Sequence, residues 1–110
     1  MKLLSSLKQK KRYVVFAVIA EEKFSLLEIK EEIERAMKEF WGQLGLSKAS
    51  PQLIKEKFNP EKQTFILKVN HKHVDELKTA LALSKKIKNK PIIIKSIVTS
   101  GTLKKASDYL

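Results

Sequence analysis

The spacing of apolar residues changes along the chain, and each spacing predicts a different element. Residues 12–20 read RYVVFAVIA, a continuous β-branched and aromatic run that predicts a central strand covered on both faces. Ser25 and Glu28 then have the spacing of a capping box that begins a helix, and Gly42 and Gly45 are predicted to end it. The apolar residues of this helix fall on one stripe, namely Leu26, Ile29, Ile33, Ala36, Phe40 and Leu44.

The second half of the chain adds a hairpin, another helix and another strand. Residues 51–58 and 64–69 predict two strands joined by a turn at residues 59–62, which starts with Asn-Pro. Residues 70–84 predict an amphipathic helix capped by Asn70, residues 91–100 predict a fourth strand, and the tail predicts a short helix. This order is that of an α+β, ferredoxin-like βαββαβ sandwich, an antiparallel sheet with helices on one face.

Length and cysteine content limit the class of protein. The 110 residues suffice for one domain, which we place at residues 12–110 after a basic leader at residues 1–11. The absence of cysteine excludes disulfides and thiolate metal sites, and it permits a reducing compartment, so we expect the cytoplasm. No apolar run approaches the roughly 20 residues that a membrane helix needs, so no membrane partner is expected.

Positive charge is concentrated in two flanks of the chain. The sequence has 23 Lys and Arg against 12 Asp and Glu, a formal net charge of +11. Residues 1–20 hold five basic residues and no acid, residues 77–107 hold eight lysines and no acid, and residues 21–76 are nearly balanced. Such segregation is typical of polyanion binding, because Lys and Arg that neutralise phosphates release condensed counterions. A solvated surface that charge keeps soluble is the alternative.

Three short motifs occur in a fixed order. Arg12-Tyr13 opens the first strand, Phe40-Trp41-Gly42 precedes Gly45, and Ser100-Gly101-Thr102 follows the last strand. With the segments RYVVFAVIAEEKF and ALALSKKIKNKPIIIKSIVTSGT, they resemble the ribonuclease P protein component 2 family over roughly residues 12–105. The lysine-rich leader departs from a typical member.

The resemblance implies both a fold and a set of partners. It implies a βαββαβ sandwich and a subunit of an archaeal enzyme whose catalytic RNA removes 5′ leaders from precursor tRNA. The implied partners are that catalytic RNA and ribonuclease P protein component 3, with self-association inside the assembly as a further expectation. Trp41, at the edge of the helical stripe, is either the margin of the core or the anchor for the protein partner.

Two basic patches are expected at opposite ends of the sheet, because the first and last strands of this arrangement are antiparallel neighbours. The end patch comprises Lys10, Lys11, Arg12, Lys104 and Lys105. The loop patch comprises Lys85, Lys86, Lys88 and Lys90. The excess of lysine over arginine favours contact with the RNA backbone over bidentate readout of bases.

Catalytic chemistry has little support in the sequence. His71 and His73 would diverge at a helix start, so we expect no metal site, and the helix carboxylates are interpreted as a solvated face. The Gly-Phe-Gly-Phe core of the RNA recognition motif is missing from KQTFILKV. We therefore expect no catalytic residue and no cofactor. A ribosomal or other RNA-associated protein of this fold is an alternative, and a small phosphate-ester or acyl-phosphate hydrolase is a weaker one.

Overall fold

A computed structural model describes residues 10–110, so nearly all of the leader predicted at residues 1–11 lies outside the described residues. Four strands form an antiparallel sheet, and they are Lys11–Ile19 (β1), Gln52–Leu53 (β2), Thr64–Asn70 (β3) and Ile93–Ser100 (β6). Their order across the sheet is β2-β3-β1-β6. This is the strand order of a ferredoxin-like sandwich and confirms the predicted α+β class.

The first strand is central and buried on both faces, as its continuous apolar run predicts. Val14 and Phe16 point into a core formed with the two long helices, and Val15 points to the opposite face. β1 pairs with β3 through Val14 opposite Leu67, and with β6 through Tyr13 opposite Ser100.

Two helices cover one face of the sheet. We call this side of the molecule, including the exposed surface of the helices, the helix face. They are Leu26–Ala49 (α1) and Val74–Ala82 (α2). The predicted capping box is present, because the Glu28 backbone N–H donates to Ser25 Oγ at 3.2 Å and the Ser25 N–H donates to Glu28 Oε1 at 2.9 Å. Ile29 and Ile33 of α1 and Leu77 of α2 are fully buried against the sheet.

The predicted end of the first helix is wrong. α1 is interrupted at Gly42, where φ is +70° and ψ is 179°, but a further helical segment runs on to Ala49. Its C-cap is Ser50, in the left-handed conformation, whose N–H donates to the Leu46 carbonyl at 2.8 Å. Leu46 packs against the core and Ala49 is buried, so tertiary contacts outweigh the glycine signal.

The predicted first strand of the hairpin is also wrong in extent, because β2 contains only two residues and is followed by a 3-10 turn at Lys55–Lys57. Ile54 packs on one face of the sheet and Phe58 packs on the other. Residues four apart on a regular strand point to the same face, so the chain must turn between them.

The connection from α2 to β6 forms a small two-stranded ribbon of Lys86–Ile87 (β4) and Lys90–Pro91 (β5). Lys88 and Asn89 at its tip both have positive φ, 50° and 66°, as a two-residue hairpin turn requires. Pro91 therefore belongs to the ribbon and not to the last strand.

The tail forms the predicted short helix, Leu103–Ser107 (α3). It lies on the sheet face opposite α1 and α2, which we call the outer face, where Ala106 is buried in a cluster with Val15 and Ile66. Within residues 10–110, none of the helices has the length and apolar composition needed to cross a bilayer.

Candidate nucleic-acid interface

The strand pairing brings the described members of the end patch together. The start of β1 lies beside the end of β6, because Tyr13 pairs with Ser100, and α3 begins three residues later. Lys104 and Lys105 are exposed on α3. The structure therefore places Lys10, Lys11 and Arg12 at the same end of the sheet as the α3 lysines, as expected from the fold.

This end of the sheet also carries a lysine that the sequence did not single out. Lys72 is exposed in the 3-10 turn His71–His73, which follows β3. The His71 N–H donates to the Lys10 carbonyl at 2.8 Å, which fixes the turn against the start of β1. The antiparallel pairing of β1 with β3 was the signal that could have found it, since it places Asn70 opposite Lys11.

The loop patch lies at the other end of β6, and part of its charge is already neutralised. Lys88 Nζ lies 3.1 Å from a carboxylate oxygen of Glu28, and Lys90 forms a close ion pair with Glu22. Lys85 and Lys86 are exposed and form no ion pair with the residues that the structure describes. Lys86 nevertheless lies near enough to Glu32 to help lower the pKa of that carboxyl, so Lys88 and Lys90 are ion-paired and Lys86 is more weakly attracted to a carboxylate.

The carboxylates beside the loop patch are held in the ionised form. The pKa of Glu28 is lowered by the Ser25 backbone N–H and by Lys88. Burial opposes the ionisation of Glu32, but hydrogen bonds from Arg35 and Ser84 outweigh it and lower the pKa of that carboxyl. These ionised carboxylates offset part of the positive charge of the loop patch.

The two histidines have separate hydrogen-bonding partners. His71 Nδ1 lies 3.2 Å from the Lys10 carbonyl oxygen, whereas His73 Nδ1 lies 2.5 Å from Glu76 Oε1. Among residues 10–110, no group of three or more acidic or histidine side chains is arranged to hold a metal ion. Arg35 is paired with two glutamates of its own helix, at 2.7 and 2.5 Å. Arg12 lies in β1, so neither arginine sits in the phosphate loop that a small hydrolase would need.

Trp41 is half-buried at the margin of the helix-face core. Its ring meets Phe40 and His73 edge-on, with centroids 5.9 and 6.4 Å apart, and its Nε1 is 3.4 Å from Glu76 Oε1, a long hydrogen bond. A Cβ on Gly45 would lie 2.8 Å from Trp41 Cβ, so the lack of a side chain at position 45 leaves room for Trp41. The geometry favours a margin of the core, and the partner role of Trp41 stays a prediction.

Exposed apolar residues lie elsewhere on the helix face. Phe40 is 39% exposed and Leu83 is 60% exposed, and together they line a groove of about 300 Å³ between α1 and α2. Arg35 and Glu39 form its polar rim. From its helical spacing, Phe40 was predicted to lie in the apolar stripe of α1. Spacing alone does not show how much of α1 is covered by α2, so it did not predict the exposure of Phe40.

Comparison with known proteins gives a consistent family. Ribonuclease P protein component 2 of Pyrococcus furiosus is 41% identical over 100 residues, covering 91% of this chain and 82% of that protein. The protein of the same name from Methanocaldococcus jannaschii is 35% identical over 101 residues, covering 92% of this chain and 72% of that protein.

A solved structure shares the fold. A chain in the cryo-EM structure of yeast ribonuclease MRP superposes with a TM-score of 0.66 at 11% identity, over 87% of this chain and 77% of that chain. The sequence model of the Rpp14/Pop5 family matches residues 12–110. This chain therefore belongs to the Rpp14/Pop5 family, which confirms the resemblance to ribonuclease P protein component 2 found in its sequence.

Proposed function

We propose that this chain is a non-catalytic, RNA-binding protein subunit of ribonuclease P that supports a catalytic RNA in removing 5′ leaders from precursor tRNA in the cytoplasm. Its relatives carry the name of that enzyme's protein component 2. The observation that carries RNA binding is the end patch, where strand pairing gathers basic residues that are far apart in the sequence.

The end patch acts through the RNA backbone. A folded RNA brings phosphates close together, and lysines that neutralise them lower the repulsion and release counterions. Such contacts fix the position of an RNA without reading its bases. The chain thus supplies positive charge and position, while the chemistry of hydrolysis belongs to the RNA. No cofactor is assigned to this chain.

The helix face is the side we assign to protein component 3. Its groove exposes Phe40 and Leu83, and large apolar side chains in a pocket are common anchors of protein interfaces. The same face carries most of the acidic residues, which are interspersed with basic ones, so it lacks the concentrated positive charge of the end patch. The two partners can then bind different surfaces of one small domain.

Reconstituted cleavage tests the proposal. Precursor tRNA is incubated with an archaeal ribonuclease P RNA and protein component 3, with and without this chain, and also with this chain alone. We expect that the chain accelerates cleavage only when the RNA is present. Turnover of precursor tRNA or of small phosphate esters by the chain alone would contradict the assignment.

A further inference from the structure

The outer face of the sheet carries a lysine on each side of α3. Lys68 lies on β3 opposite Tyr13, and Lys95 lies on the edge strand β6. Side chains alternate along a strand, and the neighbouring Leu67 and Ile94 both point into the helix-face core. Lys68 and Lys95 therefore point to the outer face, away from α1 and α2.

Helix α3 closes the middle of this face. Ala106 is buried against Val15 and Ile66, so the central strands present no open surface on which RNA bases could stack. What α3 presents instead is charge, because Lys104 and Lys105 are exposed on it. The outer face thus offers ammonium groups, and its exposed Tyr109 lies directly after α3 and not on the central strands.

Negative charge is concentrated on the other side of the molecule. Of the twelve acidic residues, five lie on α1, two on α2 and two in the connection before α1. The remaining three are Glu56, Glu61 and Asp108, in connections or directly after α3. Few acidic residues therefore share the outer face with its four lysines, of which Lys68 is half-buried and the other three are exposed.

Lys68 is held in place by an aromatic ring. Its Nζ lies 6.0 Å from the centroid of the Tyr13 ring, within the range of a cation–π contact, and its side chain is half-buried. A cation that is already ordered loses less conformational entropy when it binds a ligand. Lys68 should therefore lose less conformational entropy on binding a phosphate than an unrestrained surface lysine would.

We infer that an RNA backbone crosses the outer face, with Lys68 and Lys95 binding phosphates on either side of α3. The inference rests on the proposed function and extends the RNA surface from the end patch along the sheet. From strand spacing and rise, the two Cα atoms are about 17 Å apart, a span of several nucleotides. The exposed Ile19 and Ile93 lie beyond this surface, at the far end of β1 and β6.

Salt-dependent binding of the full chain to the ribonuclease P RNA of Pyrococcus furiosus tests the inference. The double variant Lys68→Gln/Lys95→Gln should lower the slope of log affinity against log salt by about 1.5, since each lost phosphate contact removes roughly 0.7 to 0.9. The matched control, Lys38→Gln/Lys48→Gln, loses the same charge from exposed sites on α1 and should keep the wild-type slope.

Two further measurements separate the alternatives. The variant Lys68→Arg/Lys95→Arg keeps the charge and should keep the wild-type slope, so a loss there would mean a structural effect and overturn the inference. Three other results would overturn the inference while the proposed function would stand. One is a Gln variant with the wild-type slope, and another is an α1 control that loses as much slope as the Gln variant. The third is a Gln variant that loses as much affinity for polyglutamate, a polyanion without phosphates, as for the RNA. If the wild-type chain does not bind the RNA, the proposed function and the inference both fail.

Discussion

The lysines of the loop patch differ in whether they are already ion-paired, and therefore in how readily they can bind a phosphate. Lys88 and Lys90 are bound to Glu28 and Glu22, whereas Lys85 makes no ion pair with a described residue. A lysine that already neutralises a carboxylate must break that pair before it can release counterions from RNA. The sequence could not reveal these pairs, because 60 residues separate Lys88 from Glu28 and only the folded ribbon brings them together.

The two halves of the loop patch should therefore differ in their contribution to RNA binding. We expect Lys85→Gln/Lys86→Gln to flatten the slope of log affinity against log salt by about 1.5, and Lys88→Gln/Lys90→Gln to change it by less than about 0.5. Each pair serves as the charge-matched control of the other. Equal slopes for both variants, below that of the wild type, would show that the ion pairs do not survive in the complex.

The indole of Trp41 should contribute to stability more than to association. Because it packs on the core and over Gly45, Trp41→Ala should lower the free energy of unfolding by about 2 kcal/mol, less than a fully buried Trp would cost. Thermal unfolding and binding of protein component 3 measure the two effects separately. An unchanged melting temperature with weakened binding would make Trp41 the partner anchor.

At the scale of elements, the kink in α1 depends on one residue. Gly42 has φ +70° and ψ 179°, a region that residues with a Cβ rarely adopt. The kink lets the segment ending at Ala49 turn back onto the core, with Leu46 packed beneath it. The orientation of that segment therefore depends on the missing side chain at position 42.

Replacing this glycine should strain the backbone without a steric clash. No atom lies within 4 Å of a Cβ built on Gly42, so Gly42→Ala should cost about 1 to 3 kcal/mol of stability from conformation alone. Gly101→Ala is the control, because a Cβ there also meets open space and φ is not in the left-handed region. Equal melting temperatures for the two variants would show that the kink is not strained.

Periodicity predicted the elements that bury a continuous stripe, and it failed where tertiary contacts set the chain direction. β1 and the start of α1 follow from their apolar runs and from the Ser25 capping box. The hairpin strand at residues 51–58 was overpredicted, because Phe58 packs on the opposite face from Ile54. The spacing of apolar residues along the sequence does not show that the chain turns between Ile54 and Phe58. The end patch was predictable because it depends only on strand order.

At the scale of the whole molecule, the two sides of the sheet differ in the number of acidic residues they carry, and the apolar groove lies on one of them. The helix face carries most carboxylates and the groove with Phe40 and Leu83, while the outer face carries lysines around α3. Under the proposed function, this division would give RNA and protein component 3 different surfaces of one 110-residue chain.

The groove should respond to substitution independently of RNA. We expect Phe40→Ala/Leu83→Ala to weaken binding of protein component 3 by about 2 kcal/mol or more while leaving the RNA salt slope unchanged. Leu27→Ala is the control, since Leu27 is 63% exposed on α1 but does not line the groove. Isothermal titration with each variant measures the difference. An equal loss from Leu27→Ala would show that the groove is not the binding site.

Affinity purification of the tagged chain from its source cell, with sequencing of the bound RNA and mass spectrometry of the bound proteins, tests the assignment most directly. An RNA-binding subunit of ribonuclease P should recover the RNA of that enzyme together with protein component 3, and the recovered RNA should fall when the end patch is changed to Gln. Recovery of ribosomal subunits without ribonuclease P RNA would contradict the assignment.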